Sequence, residues 1–500
     1  MPKLSVIDLA MFLLETPERP FNIGPLVLLR PPKNAKRFAD RLVQRMLKHE
    51  PGPPFNYGLK LSLSQVPGVE PLEDADVAAH VHRLTLPGEA SMDDLLAKVC
   101  ELHEIPLERS GLLWQFYVID GLADGRVALY GKVHHGIIDG RSFVNAVTHW
   151  FSSDPKDTEV RALWQGVPQK SHTRERIEAG LKGAPRAQGE RLRELLKKSV
   201  GTLGSGIALY RMLAAQARRS LGLGGEAMDL PFVGVPRALS GPVSAKRNYA
   251  FATLPLTELK ALGRAHEATI NDTLLAVLDG ALDRYLATQP NRPSKPLVVD
   301  MPVALAGASG GNQIAVLQLA MGKPGASALQ RLAAIRKETA RVKAAVKANS
   351  SETVMLYTTL VHALPTLLEK VGLKRPLSVS NLLFSNPFGF EGKCYLMGAE
   401  VELALPMSVV AAGQMLNVTV VTLGDTLQIG FLGIPGAIDR IDELARHTQD
   451  AFDALKLELS APAQPSARAV KSAGKRTPKP PTKRIPRTPT KRIARNRVAA

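Results

Sequence analysis

The run Val133-His134-His135-Gly136-Ile137-Ile138-Asp139-Gly140-Arg141-Ser142-Phe143 constrains this chain more than any other stretch. Arg126 to His134 reads as a strand and Ser142 to Phe151 as a helix, so the paired histidines stand at a strand end, where site residues are commonly held. Side chains alternate along a strand. Tyr130, Lys132 and His134 therefore share one face, and Leu129, Val133 and His135 share the other. Only one of the two imidazoles is expected to face a given cavity. A histidine, with an unperturbed pKa near ~6.5, suits a general base at neutral pH, and the two glycines and Asp139 suit a fixed loop around it. Two structural histidines on a buried strand are the alternative.

The block His134 to Gly140 fits HHxxxDG, and with it the chain resembles the acyl-coenzyme A dependent acyltransferases of the chloramphenicol acetyltransferase type. The longer match is to the bacterial wax ester synthase/diacylglycerol acyltransferase family. Further blocks carry it in order: Glu15 to Gly24 before an apolar strand at Leu26 to Leu29, Leu112-Leu113-Trp114 where the family has Pro-Leu-Trp, Gly241 to Ser244 with Arg247, and the pair Asn271-Asp272. Ser385-Asn386-Pro387-Phe388-Gly389 then resembles the family's Ser-Asn-Val-Pro-Gly-Pro, with Gly398, Pro406-Met407-Ser408 and Gly413 to Val420 following. Two departures stand out: Leu112 replaces a proline, and Pro302-Val303 runs on to Ala304 without the family's arginine. Glu15 reads equally well as a simple loop residue, and Trp114 reads better as core.

The resemblance implies an α/β fold of two chloramphenicol acetyltransferase-like domains, each a mixed sheet with helices, and a site tunnel between them. The expected boundaries are 1–151 for the domain carrying the histidines, 152–240 for a basic helical linker, 241–457 for the second domain and 458–500 for a disordered, Pro-rich basic tail. Twelve of the eighteen net positive charges fall in residues 461–500, which leaves +6 on the first 460. A tail of this composition buries no core. Its charge suits an anionic membrane or lipid-droplet surface, and nonspecific nucleic-acid contact is not excluded by it. The linker run Ile207 to Leu221, with Arg211, Arg218 and Arg219 beside an apolar stripe, suits a domain junction or a membrane interface.

Two cysteines, Cys100 and Cys394, set no disulfide framework and fit a reducing cytosol. No leader or spanning segment is read, so the expected location is cytoplasmic, peripheral to membrane or lipid droplets. His80 and His82 form an HxH pair without a third ligand at compatible spacing, and no metal or cofactor is expected, acyl-coenzyme A being a substrate. Gly307 to Gly311 fits GxSxG, but the strands expected on both sides argue for a glycine-rich loop rather than a nucleophile elbow.

The chemistry implied is transfer of a long-chain acyl group to diacylglycerol or a long-chain alcohol. His135 is the expected general base, His134 a supporting neighbour, and Asp139 and Gly140 support for the loop. Asn271, Asp272, Ser385 and Asn386 are candidates for the oxyanion site or its support. Asn271 and Asp272 also suit a helix N-terminus. Two alternatives from other classes stay open: a non-catalytic lipid-associated binding protein of the same fold, and a condensation-type amide synthase.

Overall fold

A computed structural model describes residues 6–62, 65–138, 140–166, 203–290, 292–305, 314–372, 377–387 and 389–460. The helices are α1 (Val6–Leu14), α2 (Phe38–Met46), α3 (Met92–Glu104), α4 (Gly140–Trp150), α5 (Leu203–Ser220), α6 (Leu256–Ala265), α7 (Ile270–Ala287), α8 (Ala328–Ala348), α9 (Ser351–Lys370) and α10 (Ile441–Ser460). In the first half the strands are β1 (Asn22–Arg30), β2 (Tyr57–Ser62), β3 (Gln65–Pro71), β4 (Val81–Ala90), β5 (Trp114–Leu122) and β6 (Val127–His134). The rest are β7 (Asn248–Pro255), β8 (Val298–Ala304), β9 (Ile314–Ala320), β10 (Leu382–Ser385), β11 (Tyr395–Leu396), β12 (Ala399–Met407), β13 (Leu416–Leu423) and β14 (Thr426–Gly433).

Two six-stranded mixed sheets result, in the orders β11-β12-β1-β6-β5-β4 and β7-β14-β13-β10-β8-β9. The first is not built from the first half alone. Strand β12 crosses over and pairs antiparallel with β1 from Gly24–Met407 to Arg30–Glu400, bringing β11 with it. The two-residue turn that joins them, Met397-Gly398, has φ of 50° and 74°, the left-handed pair that a tight hairpin needs and that glycine takes without strain.

Local sequence accounts for most of these elements. Asp124-Gly125 turns β5 into β6: Gly125 has φ 72° and Asp124 accepts the Arg126 amide at 3.0 Å. Capping boxes start α3 (Ser91 with Asp94), α7 (Thr269 with Asp272) and α8 (Ser327 with Gln330). Every residue of β6 is buried, including Lys132. Its ammonium is satisfied by the C-terminal end of α3, donating to Leu102 O at 2.9 Å and Ile105 O at 3.0 Å. Burial still pulls that lysine down to about 8, against the pull of Glu15 upward.

All three tryptophans are core. Trp114 and Trp164 stack at 5.0 Å, and Phe116 meets Trp164 and Trp150 edge-on. Residues 77–84 divide into a 3-10 turn over Val77–His80 and the start of β4. Asp76 captures the Ala78 amide there and holds the turn. His80 bonds the Trp114 carbonyl at 2.8 Å, while the His82 ring lies on Tyr117. Strands β8 and β9 pair antiparallel throughout, so the frame of GxSxG is strand to strand, and Gly307 to Gly311 themselves lie outside the described residues. The run Gln188 to Val200 and the tail from 461 lie outside them as well.

Candidate active site

Strand β6 ends at His134 and delivers the two histidines to opposite sides, as alternation requires. The backbone fixes both: the His134 amide donates to Leu113 O at 2.9 Å and the His135 amide to Phe21 O at 2.8 Å. His134 turns inward and is 1% exposed. Its ring stacks on Phe12 of α1, centroids 4.1 Å apart and 2° from parallel. The Gly136 amide donates to its Nδ1 at 3.0 Å, so the ring proton sits on Nε2, which faces Glu15 Oε1 at 3.6 Å. No side chain larger than hydrogen fits at position 136, where a Cβ would stand 2.6 Å from the Phe12 ring.

Glu15 is the residue this geometry promotes. Burial alone would raise its carboxyl, yet His134, the Phe21 amide at 2.9 Å and Arg109 at 2.9 Å together hold it below the usual carboxylate range. The carboxylate thus ties α1, the strand end and the segment before β5 into one buried knot. The linear sequence carried only a faint sign of this, an acid beside a turn.

His135 opens a 3-10 turn (His135–Ile137) and lines a cavity of about 120 Å³. Both sheets contribute to its walls: Ile23, Gly24 and Pro25 of β1, Ala404 to Met407 of β12, Ser385 at the end of β10, and Thr419 and Val421 of β13. Phe143 and Val147 of α4 close one side. Pro25 stands opposite Pro406, so two neighbouring positions lack N–H donors, and Gly24 admits no side chain because a Cβ would meet Gly131 O at 1.6 Å. The walls are carbon apart from His135, Ser385, Ser408 and Thr419. Such a space suits an apolar chain beside one titratable group.

The other expected residues divide. Ser385 shares the cavity wall with His135. Asn386 donates to Asn271 Oδ1 at 2.8 Å, which links the segment after β10 to the first turn of α7. Asp272 closes the α7 capping box, accepting from the Thr269 amide at 2.9 Å and hydroxyl at 2.7 Å, and it does not line the cavity. Gly140 opens α4, and Asp139 lies outside the described residues. Among the described residues, no helix is long and apolar enough to cross a membrane.

A second histidine–carboxylate pair, with Asp300 fully buried and His362 partly exposed, was not anticipated. Asp300 of β8 accepts from Gln318 at 2.7 Å and Gln414 at 2.6 Å, and lies 3.2 Å from His362 Nε2 of α9. His362 Nδ1 faces the Thr358 carbonyl at 2.9 Å. Both ring nitrogens therefore meet acceptors and both must donate. Burial opposes the charged ring, but the Asp300 carboxylate and the Thr358 carbonyl outweigh it and raise His362 above its ordinary value.

Comparison with known proteins agrees with this architecture. Residues 4–274 match the wax ester synthase/diacylglycerol acyltransferase catalytic domain, and residues 310–456 match the WS/DGAT C-terminal domain. A probable diacylglycerol O-acyltransferase of Mycobacterium tuberculosis, Tgs4, is 30% identical over 467 residues, covering 92% of this chain and 97% of that protein. A second from the same organism, tgs2, is 28% identical over 463 residues, covering 89% and 97%. Among solved structures, the wax ester synthase/diacylglycerol acyltransferase of Marinobacter aquaeolei VT8 superposes with a TM-score of 0.67 at 23% identity, over 92% of this chain and all of that one. The starter condensation domain of rhizomide synthetase shares the fold at a TM-score of 0.54 and 12% identity, over 93% and 95%. With two mixed sheets of the chloramphenicol acetyltransferase type and both family domains in sequence, this chain is an acyltransferase that belongs to the wax ester synthase/diacylglycerol acyltransferase family.

Proposed function

We propose that this enzyme moves a long-chain acyl group from acyl-coenzyme A to diacylglycerol, giving triacylglycerol, and to long-chain alcohols, giving wax esters. The supporting observation is that His135 lines an apolar cavity whose walls come from both sheets. The acceptor hydroxyl gives its proton to His135 as its oxygen attacks the thioester carbonyl. The tetrahedral oxyanion collapses, the carbon–sulfur bond breaks, and the proton on the imidazole passes to the departing thiolate. Free coenzyme A and the ester leave, and no bond to the enzyme forms at any step. Ser385, on the same wall, is the donor best supported for the oxyanion, with Asn386 and Asn271 behind it. Asp139 and Gly140 serve to shape the loop and helix start rather than to move protons. The basic tail and linker add attraction to anionic lipid.

The test is a product profile from radiolabelled long-chain acyl-coenzyme A against diacylglycerol and a series of alcohols, run beside His135→Ala. Label in triacylglycerol or wax ester that falls by about 10²–10⁴ in the variant is the expected result. Incorporation unchanged by the substitution overturns the mechanism. Label that moves only from a carrier-protein thioester overturns the donor.

A further inference from the structure

We propose that Tyr249 and His103 are positioning residues: by holding the carbonyls of Pro406 and Ser408 from outside the cavity, they set where its Pro406–Ser408 wall stands relative to His135, and so which chain lengths the enzyme prefers. Pro406, Met407 and Ser408 line the same hollow as His135, whereas Tyr249 and His103 do not line it. The ladder with β1 gives this wall little support. Pro406 lies opposite Pro25, neither proline having an N–H to give, and the pairing ends at Gly24–Met407, one residue before Ser408. Carbonyls beyond the reach of a ladder need other donors, because a buried acceptor left unpaired is costly.

Side chains from two separate elements supply them. Tyr249 of β7 donates its hydroxyl to Pro406 O at 3.0 Å. It meets that carbonyl beside Gly430 of β14, where a Cβ would stand 2.7 Å from Pro406 O and closer still to the phenol oxygen. Burial pushes the Tyr249 hydroxyl well above its ordinary value, so it stays a donor. His103, near the end of α3, meets Ser408 O with Nε2 at 3.1 Å and the Tyr130 hydroxyl with Nδ1 at 2.7 Å. Burial drives this ring down to about 3, so it is neutral and carries one proton. A carbonyl can only accept. The proton therefore sits on Nε2, and Nδ1 accepts from Tyr130. The next two carbonyls are taken in the same way, Val409 O by Asn417 at 2.8 Å and Val410 O by Arg19 at 3.3 Å. A run whose carbonyls hang on side chains shifts with a single substitution, without unzipping a sheet. Withdrawing such a wall by about 0.5–1 Å forfeits roughly a quarter to a half of each dispersion contact made against it. A chain long enough to lie along the wall loses those contacts. A chain too short to reach it loses none.

The experiment measures kcat/KM of the full-length enzyme for palmitoyl- against acetyl-coenzyme A with one alcohol, and for dodecanol against ethanol with one acyl donor. The long-to-short ratio is the readout, because a smaller folded fraction scales both members equally. Tyr249→Phe keeps the ring and removes the donor, and it is expected to lower the ratio about tenfold in at least one series. His103 supplies an independent pair of variants. His103→Gln carries an N–H where Nε2 stood and keeps the wild-type ratio, whereas His103→Asn carries one only at the Nδ1 position and lowers it as Tyr249→Phe does. Ratios unchanged in both series for Tyr249→Phe and His103→Asn overturn the proposal. So does a His103→Gln variant that falls as far as His103→Asn, which would reduce the ring to packing. The inference rests on the acyltransferase reading above, so the same variants are also titrated by calorimetry, without turnover, with S-hexadecyl- and S-ethyl-coenzyme A and with dodecanol and ethanol. In a protein that transfers no acyl group, a long-to-short affinity ratio that falls in Tyr249→Phe keeps the clamp and removes the proposed reaction, and an unchanged ratio overturns the clamp as well.

Discussion

Two histidines, one buried and one partly exposed, each face a carboxylate in the two halves of this molecule, and their partners give them different tasks. His134 receives an amide proton on Nδ1 and keeps one donor for Glu15 at 3.6 Å. His362 meets acceptors on both sides, Thr358 O at 2.9 Å and Asp300 at 3.2 Å, which favour its charged form and raise it above its ordinary value. The first arrangement orients a strand end whose next residue, His135, meets the cavity. The second ties α9 to β8 within a polar cluster that includes Gln318 and Gln414. A histidine beside an acid is thus no sign of catalysis by itself. The hydrogen bond to the far ring nitrogen decides which role the pair takes.

The largest effects would come from removing one member on each side. His135→Ala lowers acyl transfer by about 10²–10⁴, whereas His362→Ala leaves the rate per folded molecule near wild type; kcat normalised to active protein separates them. Asp300→Ala removes the fully buried acceptor shared by Gln318, Gln414 and His362 and is expected to cost about 1–3 kcal/mol, read from the urea midpoint, with little change in KM. Glu15→Gln keeps the size of the side chain but removes the charge facing His134 and Arg109. About a tenfold fall in kcat without a matching rise in KM is expected, and an unchanged kcat would reduce Glu15 to packing. Gly136→Ala pushes Phe12 off the His134 ring and is expected to destabilise by about 1–3 kcal/mol in a melting measurement.

A smaller contrast lies in pH. Because His362 is raised above its unfolded value, its contribution is complete below about pH 6.5 and is lost as pH rises through the folded pKa. His103, buried between Tyr130 and the Ser408 carbonyl, is driven down to about 3, chiefly by burial. Its contribution is complete above about pH 6.5 and declines as pH falls toward 3. His362→Asn should flatten the alkaline limb of a stability–pH profile and His103→Gln the acid limb, each by a few kcal/mol at most, on the order of the linkage.

The same contrast shows what was legible from residues alone. Period-two alternation in β6 predicted that only one of the adjacent histidines would reach a cavity, and the local turn at Asp124-Gly125 forms the hairpin that delivers them. Caps such as Ser91 and Ser327 are local, each set by a residue three positions along the chain. Glu15, Asp300 and Arg19 were hidden for the opposite reason. Their partners stand far off in the chain: Arg19 forks onto Glu369, 350 residues away, at 2.9 Å and 3.0 Å. Lys132 on an otherwise apolar strand was a visible oddity, but the carbonyls of α3 that satisfy it come from packing, not from neighbours. The pairing of Asn386 with Asn271 likewise joins two blocks that sequence order lists separately.

Strand β12 carries one further consequence. It comes from beyond residue 398 and is the antiparallel neighbour of β1, so the sheet holding the histidines is finished only after most of the chain exists. A polypeptide ending before it would present the Leu26-Val27-Leu28 edge with bare amides and carbonyls to any passing strand. During synthesis the first half must therefore wait, its reactive corner unwalled, until its borrowed partner emerges. Cutting the gene into two independently expressed pieces is expected to yield an aggregating front fragment that only its own back fragment can rescue.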